Sequence, residues 1–182
     1  MKPVLYVANV DETEILDNNL GKYSKMLFDY AEKSNNSAIR VCASIEQEIS
    51  TLEDEEKELF LSEYNLSEPW LNRIIQSSFK LLNLHTFFTC GEKEVKSWTI
   101  PVGSTAPTAA GVIHSDFERG FIKAEIFHYK DILKHHSEKK LSELGLIRQE
   151  GKQYIVRDGD CIFFKFNVWL RLISSHHLHS RL

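Results

Sequence analysis

The first fifty residues alternate between short apolar runs and segments with the periodicity of amphipathic helices. Residues 3–8 and residues 38–42 are apolar runs that predict two buried strands. Apolar side chains recur at helix spacing over residues 16–33, between the two strands, and residues 45–49 predict another helix. Because strands that alternate with helices form parallel sheets, residues 1–50 are predicted to be part of an α/β sheet.

The next segment, residues 51–82, has the pattern of a helical connector. Helices are predicted over residues 54–64 and 69–82, with Ser67 as the N-cap and Pro69 at the first position of the second helix. The acidic run at residues 53–58 falls at a helix start, where the helix dipole favours negative charge. We interpret this run as a solvated helix face.

The pattern changes again at residue 83, where short strands replace the helices. The predicted strands cover residues 86–88, 95–100, 122–127, 154–156 and 161–166. The first two form a hairpin around Gly91, and residues 106–114 predict the main helix. A small mixed sheet with one main helix, here in residues 83–168, is typical of a ubiquitin-like β-grasp module.

The last segment, residues 169–182, is predicted to be an atypical tail. It contains two arginines, three histidines and no acidic residue, and it follows the last predicted strand. We expect a frayed end, a cloning remnant or a frame-shifted extension, and we do not expect it to fold with the core.

The composition is that of an ordinary globular protein without a disulfide framework or a membrane span. A content of 42% hydrophobic and 26% charged residues is ordinary for a globular chain, and a net charge of −4 means that any nucleic-acid contact requires a local basic patch. Three widely spaced cysteines argue against a disulfide framework and favour a reducing compartment. No apolar run reaches the roughly 20 residues of a membrane span, so we expect a cytoplasmic protein without a membrane partner.

The first predicted strand ends in the polar tetrad Asn9-Val10-Asp11-Glu12. Ligands of open α/β sheets bind at such strand ends, and P-loop GTPases carry Asn-Lys-x-Asp there to read guanine. A carboxylate at the correct distance accepts both donors on the guanine edge, whereas the longer Glu12 side chain loses that register. The tetrad therefore predicts a purine-reading loop with altered specificity; the alternative is an ordinary strand-end turn.

Longer strings point to one family. The sequence resembles the YchF family, the Obg-like ATPases, in KPVLYVANVDE, VCASIEQEI, EPWLNRIIQSSFKLLNLHTFFTCGEKEVKSWTI, GSTAPTAAGVIHSDFERGFIKAEI and EGKQYIVRDGDCIFFKFNV. The resemblance covers residues 2–168 and leaves out the tail. It implies a P-loop nucleotide-binding domain, a helical hairpin insertion and a C-terminal TGS domain with the β-grasp fold. It also implies association with the ribosome and a preference for ATP over GTP.

The resemblance assigns roles to two loops of this chain. It maps the altered base-reading tetrad onto Asn9, Val10 and Glu12, and the base-flanking loop onto Cys42, Ala43 and Ser44. ATP is the implied nucleotide, with Mg²⁺ as its companion ion. No G-x-x-x-x-G-K-[ST] motif occurs in the sequence, so we expect the phosphate loop and the magnesium ligands to lie upstream.

The expected architecture follows from these assignments. A partial P-loop NTPase sheet of the α/β class over residues 1–50 is followed by a helical connector over residues 51–82. An α+β TGS domain over residues 83–168 and the tail complete the chain.

A second candidate site combines basic and aromatic residues of the third segment. If strands place them on one exposed face, they form a contact for ribosomal RNA, with charge for affinity and rings for base stacking. The alternative is a mixed-charge sheet with Trp98 in the core. The residues are Lys93, Lys96, Trp98, Arg119, Phe121 and Lys123.

The histidines and Cys42 predict no catalytic or metal site. His128, His135 and His136 lack a regular zinc spacing and are expected to be solvated. His114 is expected to cap or pack at a helix end rather than contact a partner. Cys42 has no orienting His–acid pair in the sequence and is predicted to be a buried small side chain.

Three functional hypotheses remain open. The favoured hypothesis is the C-terminal part of a YchF-type ATPase that binds ribosome or RNA and does not hydrolyse ATP alone. The rival is an enzyme completed by a separate N-terminal polypeptide that carries the phosphate loop. The third is a decayed gene product without independent activity.

Overall fold

The structure, a computed structural model, describes residues 2–16, 19–91 and 94–167 of the chain. It divides into two compact units, Met1–Leu82 and Asn83–Leu182. The predicted tail at residues 169–182 and the candidate contact residue Lys93 lie outside the described residues. Among the helices that are described, none is long and apolar enough to cross a membrane.

The first unit alternates strands and helices before two further helices. Its elements are β1 (Leu5–Asn9), α1 (Glu12–Leu16), α2 (Lys22–Lys33), β2 (Ser37–Val41), α3 (Ala43–Thr51), α4 (Asp54–Glu63) and α5 (Trp70–Leu81). Strands β1 and β2 pair in parallel, with Leu5 opposite Ser37 and Asn9 opposite Val41. The predicted parallel α/β arrangement of this segment is confirmed.

One predicted helix of the first unit is wrong in its extent. Residues 16–33 were expected to form a single helix, whereas α1 ends at Leu16 and α2 begins at Lys22. The side chain of Asp11 accepts a hydrogen bond from the backbone N–H of Glu14 at 2.9 Å, which starts α1 ahead of the predicted helix. Gly21, in an extended conformation, is the N-cap of α2.

The core of the first unit lies under α3 and α5. Ile45 and Ile49 of α3 are buried together with Val41, Cys42 and Trp70. The start of α5 differs from the prediction, because Pro69 rather than Ser67 is the N-cap residue. The carboxylate of Glu46 accepts the N–H groups of Trp70 and Leu71 at 2.9 and 3.3 Å, and so satisfies the first turn of α5 from α3.

The second unit is a five-stranded mixed sheet with four short helices among the described residues. Its elements are β3 (Leu84–Cys90), β4 (Val95–Pro101), α6 (Ala106–Ile113), α7 (Ser115–Arg119), β5 (Phe121–His128), α8 (Tyr129–His135), α9 (Glu138–Glu143), β6 (Arg148–Glu150) and β7 (Asp160–Phe166). The strand order is β4-β3-β7-β5-β6. Strands β3 and β7 are parallel, and the remaining pairs are antiparallel.

Helix α6 covers one face of this sheet through small side chains. Ala106, Ala109 and Ala110 are fully buried, which lets the helix backbone approach the strands closely. Phe87 of β3 is also fully buried and meets the ring of Phe164 edge to face, with 6.0 Å between ring centroids. The predicted hairpin and the predicted main helix of this unit are confirmed.

The predicted strand at residues 154–156 is wrong. Only Ile155 forms a bridge, with Thr105, and the edge strand is β6 instead. The segment is held by Asp160, whose Oδ2 accepts the hydroxyl of Tyr154 at 2.8 Å and the N–H of Arg157 at 2.9 Å. The segment also makes two backbone hydrogen bonds, from Ala106 N–H to the Tyr154 carbonyl at 2.9 Å and from Val156 N–H to the Ser104 carbonyl at 3.0 Å. This pairing is a single bridge and does not extend into a strand.

Three helices of the second unit were not predicted. They are α7, α8 and α9, and all three begin at side-chain caps. His128 Nδ1 accepts the N–H of Lys130 at 3.2 Å, and Ser137 Oγ accepts the N–H of Lys140 at 3.5 Å. The serine is a common N-cap residue and was an available signal in the sequence.

The burial of Phe87 predicts a large loss of stability in the second unit. Replacement of Phe87 by alanine should lower the free energy of unfolding of this unit by roughly 3–5 kcal/mol, because it leaves a cavity beside Phe164 and α6. This free energy is measured by amide hydrogen exchange of β7, under conditions in which the exchange rate depends on the opening equilibrium. The matched control is Val95→Ala in the same hairpin, where the side chain is 70% exposed and the change should stay within about 0.5 kcal/mol. Equal losses in the two variants would contradict this account of the core.

Candidate functional site

The carboxyl ends of β1 and β2 lie side by side at one edge of the first unit's sheet. Asn9 and Val41, the last residues of the two strands, are aligned in the parallel register. The N–H of Val10 donates to the carbonyl oxygen of Val41 at 2.9 Å and extends the pairing by one residue. The loops that follow the two strands, residues 10–12 and 42–44, are therefore neighbours, as expected of a ligand site in this class of sheet.

The side chain of Asn9 links these two loops. Its Oδ1 accepts the backbone N–H of Ala43 at 3.1 Å, at the start of α3. Helix α3 has no side-chain cap of its own at Cys42, so this bond satisfies one of the N–H groups that a helix start leaves open. Asn9 thus positions the beginning of α3 relative to β1.

The carboxylate of Glu12 lies on the other side of the same junction. The hydroxyl of Ser44 donates to Glu12 Oε1 at 3.4 Å, and Ser44 Oγ also contacts the sulfur of Cys42 at 3.1 Å. Glu12 and Ser44 are exposed, whereas Cys42 is fully buried, as the sequence predicts. The half-buried Val10 packs against the core that contains Cys42. The structure therefore brings together Asn9, Val10, Glu12, Cys42, Ala43 and Ser44.

Sequence reasoning missed one neighbour of this junction. Tyr64, which follows α4, packs against the same core as Val10. Burial, and then the negative charges of Glu12 and Glu48, raise the pKa of the Tyr64 hydroxyl. An aromatic residue at the end of a distant helix gives no local signal, so only the fold reveals that Tyr64 belongs beside this loop.

The basic and aromatic residues of the second candidate site that the structure describes do not share one exposed face. Lys96 of β4 places its ammonium group 4.5 Å from the ring centroid of Trp98, and Trp98 packs against the core under α6. Lys123 of β5 alternates with the buried Ala124 and so lies on the opposite face of the sheet. Phe121 is buried and is not available for base stacking.

Arg119 lies apart from both Lys96 and Lys123, on a helix rather than a strand. Arg119 is exposed at the end of α7, while Lys123 donates to Gln149 Oε1 at 2.9 Å. The expectation of one continuous basic and aromatic face is therefore wrong. Alternation along the strands and the burial of Phe121 account for the difference.

The histidine contacts that the structure describes are made to other groups of the same chain. His114 Nδ1 accepts the N–H of Asp116 at 3.1 Å and caps α7, which confirms the predicted capping role. Within residues 2–16, 19–91 and 94–167, no group of three or more His, Cys, Asp or Glu side chains is arranged to hold a metal ion.

Comparisons with known proteins bear on both units. Residues 84–167 match the family model YchF-GTPase_C, described as a protein of unknown function (DUF933). The chain is 49% identical over 168 residues to the ribosome-binding ATPase YchF of Pasteurella multocida, and 48% identical over 168 residues to that of Escherichia coli O157:H7. Each match covers 92% of this chain and 46% of the relative, so the chain spans about half the length of these curated relatives.

Solved structures show the same relationship. The Schizosaccharomyces pombe YchF GTPase matches with a TM-score of 0.76 and 34% identity, over 90% of this chain and 43% of that chain. A GTP-binding protein from Pyrococcus horikoshii OT3 matches with a TM-score of 0.59 and 18% identity, over 91% of this chain and 46% of that chain, a likeness of fold alone.

The N-cap of α1 predicts a titration that can be observed directly. Hydrogen bonds from the Glu14 N–H and the Thr13 hydroxyl lower the pKa of Asp11. A lowered pKa in the folded state means that the cap stabilises α1 above the unfolded pKa of aspartate, about 3.9. That contribution is lost as the pH falls through the folded pKa.

Carbon NMR of the Asp11 carboxyl group should therefore give a midpoint below about 3.9, and the Glu14 amide signal should move with the same midpoint. Asp11→Asn keeps a capping oxygen and removes the charge, so the Glu14 amide should no longer follow this titration. A midpoint at or above the ordinary value would show that the cap does not form.

Proposed function

Because this chain belongs to the YchF family, whose C-terminal part it matches, we propose that it carries the base-recognition part of an ATP site and a ribosome-binding module. The observation that carries the first half of the proposal is the junction of β1 and β2. There, Asn9 bonds to Ala43 and Glu12 bonds to Ser44, so the two loops assigned to base recognition form one surface.

The chemistry of this surface favours adenine over guanine. Guanine presents two donors that a correctly placed carboxylate accepts together. Glu12 is one methylene longer than aspartate and is directed towards Ser44, so it does not offer that bidentate geometry. Val10 supplies an apolar contact for the ring, where GTPases have lysine. A carboxylate facing adenine N1 would leave two acceptors opposed, at a cost of about 1–3 kcal/mol, and Ser44 holds Glu12 away from that position.

The same residues fit a purine base but not a triphosphate. The six junction residues include no cation. Glu12, which is one of them, and the adjacent Asp11 carry negative charge. ATP phosphates and their Mg²⁺ ion would be held by a phosphate loop, and the sequence contains no Gly-rich motif of that kind. We therefore propose that this chain alone binds nucleotide weakly and does not hydrolyse ATP, since the phosphate cradle supplies most of the charge stabilisation in phosphoryl transfer.

A second candidate function is an ATPase completed by another polypeptide that carries the phosphate loop. Two observations favour it. Among the described residues, β1 pairs only with β2, and Val4 and Val7 of this region are 38% and 44% exposed. An open strand edge beside exposed valines is suited to pairing with a further strand.

The proposed organisation follows the family. Residues 1–50 form the C-terminal part of the P-loop domain, residues 51–82 the helical connector, residues 83–168 a TGS domain, and residues 169–182 a separate tail. The parallel β3–β7 pair at the centre of the second unit and the single helix α6 across one face support a β-grasp fold for the TGS domain. Ribosomal RNA is the proposed partner of this domain, and the cytoplasm its location.

Hydrolysis tests the nucleotide part of the proposal. Phosphate release from ATP should stay at background for this chain, because it lacks the cradle for the phosphates. The Bacillus subtilis relative is 49% identical to this chain over the matched 167 residues. If the second candidate function is correct, adding the upstream half of that relative as a separate polypeptide should produce phosphate release from ATP.

The informative variant is Glu12→Asp, measured together with the added polypeptide. It should raise the rate of GTP hydrolysis relative to that of ATP hydrolysis, because it shortens the side chain that carries the carboxylate. Turnover by this chain alone would contradict the proposal that it is inactive.

Ribosome co-sedimentation tests the second part. Reversal of charge at Lys96, Arg119 and Lys123 together should weaken association at least tenfold and flatten its salt dependence, because fewer counterions are released. Lys96→Glu and Lys123→Glu alone identify which face of the sheet makes the contact, since the two side chains lie on opposite faces. Lys25→Glu, at an exposed position of the first unit, is the control. Unchanged association of the triple variant would exclude these residues as the contact.

A further inference from the structure

Helix α3 joins the candidate base-recognition site to the start of α5. Its first turn carries Ala43 and Ser44, which belong to the site, and the same turn carries Glu46. The Glu46 carboxylate accepts the N–H of Trp70 through Oε2 at 2.9 Å and the N–H of Leu71 through Oε1 at 3.3 Å. A single helical turn therefore takes part in both the site and the connector.

The start of α5 depends on the Glu46 carboxylate. The N-cap residue of α5 is Pro69, and no side-chain hydrogen bond is made at that cap. Trp70 is only 2% exposed, so removal of the carboxylate would leave its N–H without a partner in a buried position. The negative charge is also favourable at the positive end of the helix dipole. These contacts hold Glu46, and with it the first turn of α3, in one position.

The same turn of α3 is held from the other direction by Asn9. The Oδ1 atom of Asn9 accepts the N–H of Ala43 at 3.1 Å, and no side chain caps α3 at Cys42. Glu46 lies less than one helical turn beyond Ala43, so the hydrogen bonds of the two residues act on one rigid segment. Displacing Glu46 would therefore move the N–H group that Asn9 accepts.

Apolar packing leaves the orientation of this turn less well defined. Ile45 and Ile49 are buried and attach one face of α3 to the core. Burial of apolar surface is a non-directional interaction, so it opposes separation of the helix from the core more than rotation or sliding of the helix. The hydrogen bonds of Asn9 and Glu46 are directional, and they fix the remaining freedom.

We propose that Glu46 is a positioning residue for purine recognition, and that it acts through the first turn of α3 on Ala43 and Ser44. The proposal rests on the proposed function of the β1–β2 junction. Because coupling between two sites is reciprocal, binding of a base at the junction also stabilises the start of α5. Glu46 thus couples base recognition to the helical connector.

Amide hydrogen exchange of the nucleotide-free chain tests the positioning. Glu46→Ala should raise the exchange rate of the Ala43 amide about fivefold, because its hydrogen bond to Asn9 is no longer held in place. Asn9→Ala should in turn raise the exchange rate of the Trp70 amide. Glu48→Ala is the matched control, since Glu48 is an exposed carboxylate of the same helix and its removal should leave both rates unchanged.

Glu46→Gln separates the hydrogen bond from the charge. Its amide oxygen can still accept the N–H of Trp70, so the exchange rate of Ala43 should return towards that of the unaltered chain. If Glu46→Ala does not fold, as judged by its thermal unfolding, Glu46→Asp takes its place, because the shorter side chain does not reach both N–H groups. Faster exchange of Trp70 with an unchanged rate at Ala43 would overturn the proposal, since the carboxylate would then serve α5 alone.

An adenosine titration, followed by the amide signal of Val10, tests the effect on recognition. Adenosine carries no phosphate, so removal of a carboxylate does not change its binding through net charge. Glu46→Ala should weaken adenosine binding about fivefold, whereas Glu48→Ala should leave it unchanged. Equal affinities of the two variants would overturn the proposal. No response to adenosine in the unaltered chain would contradict the proposed function of the junction, and the exchange rates of Ala43 and Trp70 would still decide the positioning.

Discussion

The parallel pairing of β1 with β2 is the constraint on which the candidate site depends. Its register places Asn9 opposite Val41, and the bond from Val10 to the Val41 carbonyl carries that register one residue past the strands. A slip of one residue would turn Asn9 to the other face of the sheet and separate it from Ala43. Because the two loops are more than thirty residues apart in sequence, no local interaction replaces this pairing.

Both units supply side-chain acceptors to helix starts, and the second unit adds a buried carboxylate. In the first unit, Asn9 and Glu46 supply side-chain oxygens to helix starts, which joins secondary-structure elements at exposed or half-buried positions. In the second unit, the buried Asp160 accepts hydrogen bonds from Tyr154 and Arg157 inside the sheet's closing segment. Such a network is costly if incomplete, and Arg148, 3.9 Å from Asp160 Oδ1, supplies the nearest compensating charge.

Sequence patterns predict the elements that hydrophobic periodicity governs. They identify β1, β2, α3 and the β3–β4 hairpin, and residue types at strand ends identify the loops of the candidate site. They fail where a side chain distant in sequence decides the outcome. The bonds from Glu46 to the start of α5, the pairing of Ile155 with the distant Thr105, and the position of Tyr64 all depend on contacts formed only in the fold. The basic residues were misjudged for a simpler reason, because Lys96 and Lys123 belong to strands whose facing depends on sheet order.

The most direct test of the central claim is an amide NMR titration of this chain with ATP and, separately, with GTP. The account predicts that millimolar ATP shifts the amide signals of Val10, Ala43 and Ser44, that GTP shifts them less, and that amides of the second unit stay in place. Because the phosphates have no cradle here, saturation should require high nucleotide concentration. Equal responses to the two nucleotides, or shifts that avoid both loops, would contradict the assignment of the β1–β2 junction to purine recognition.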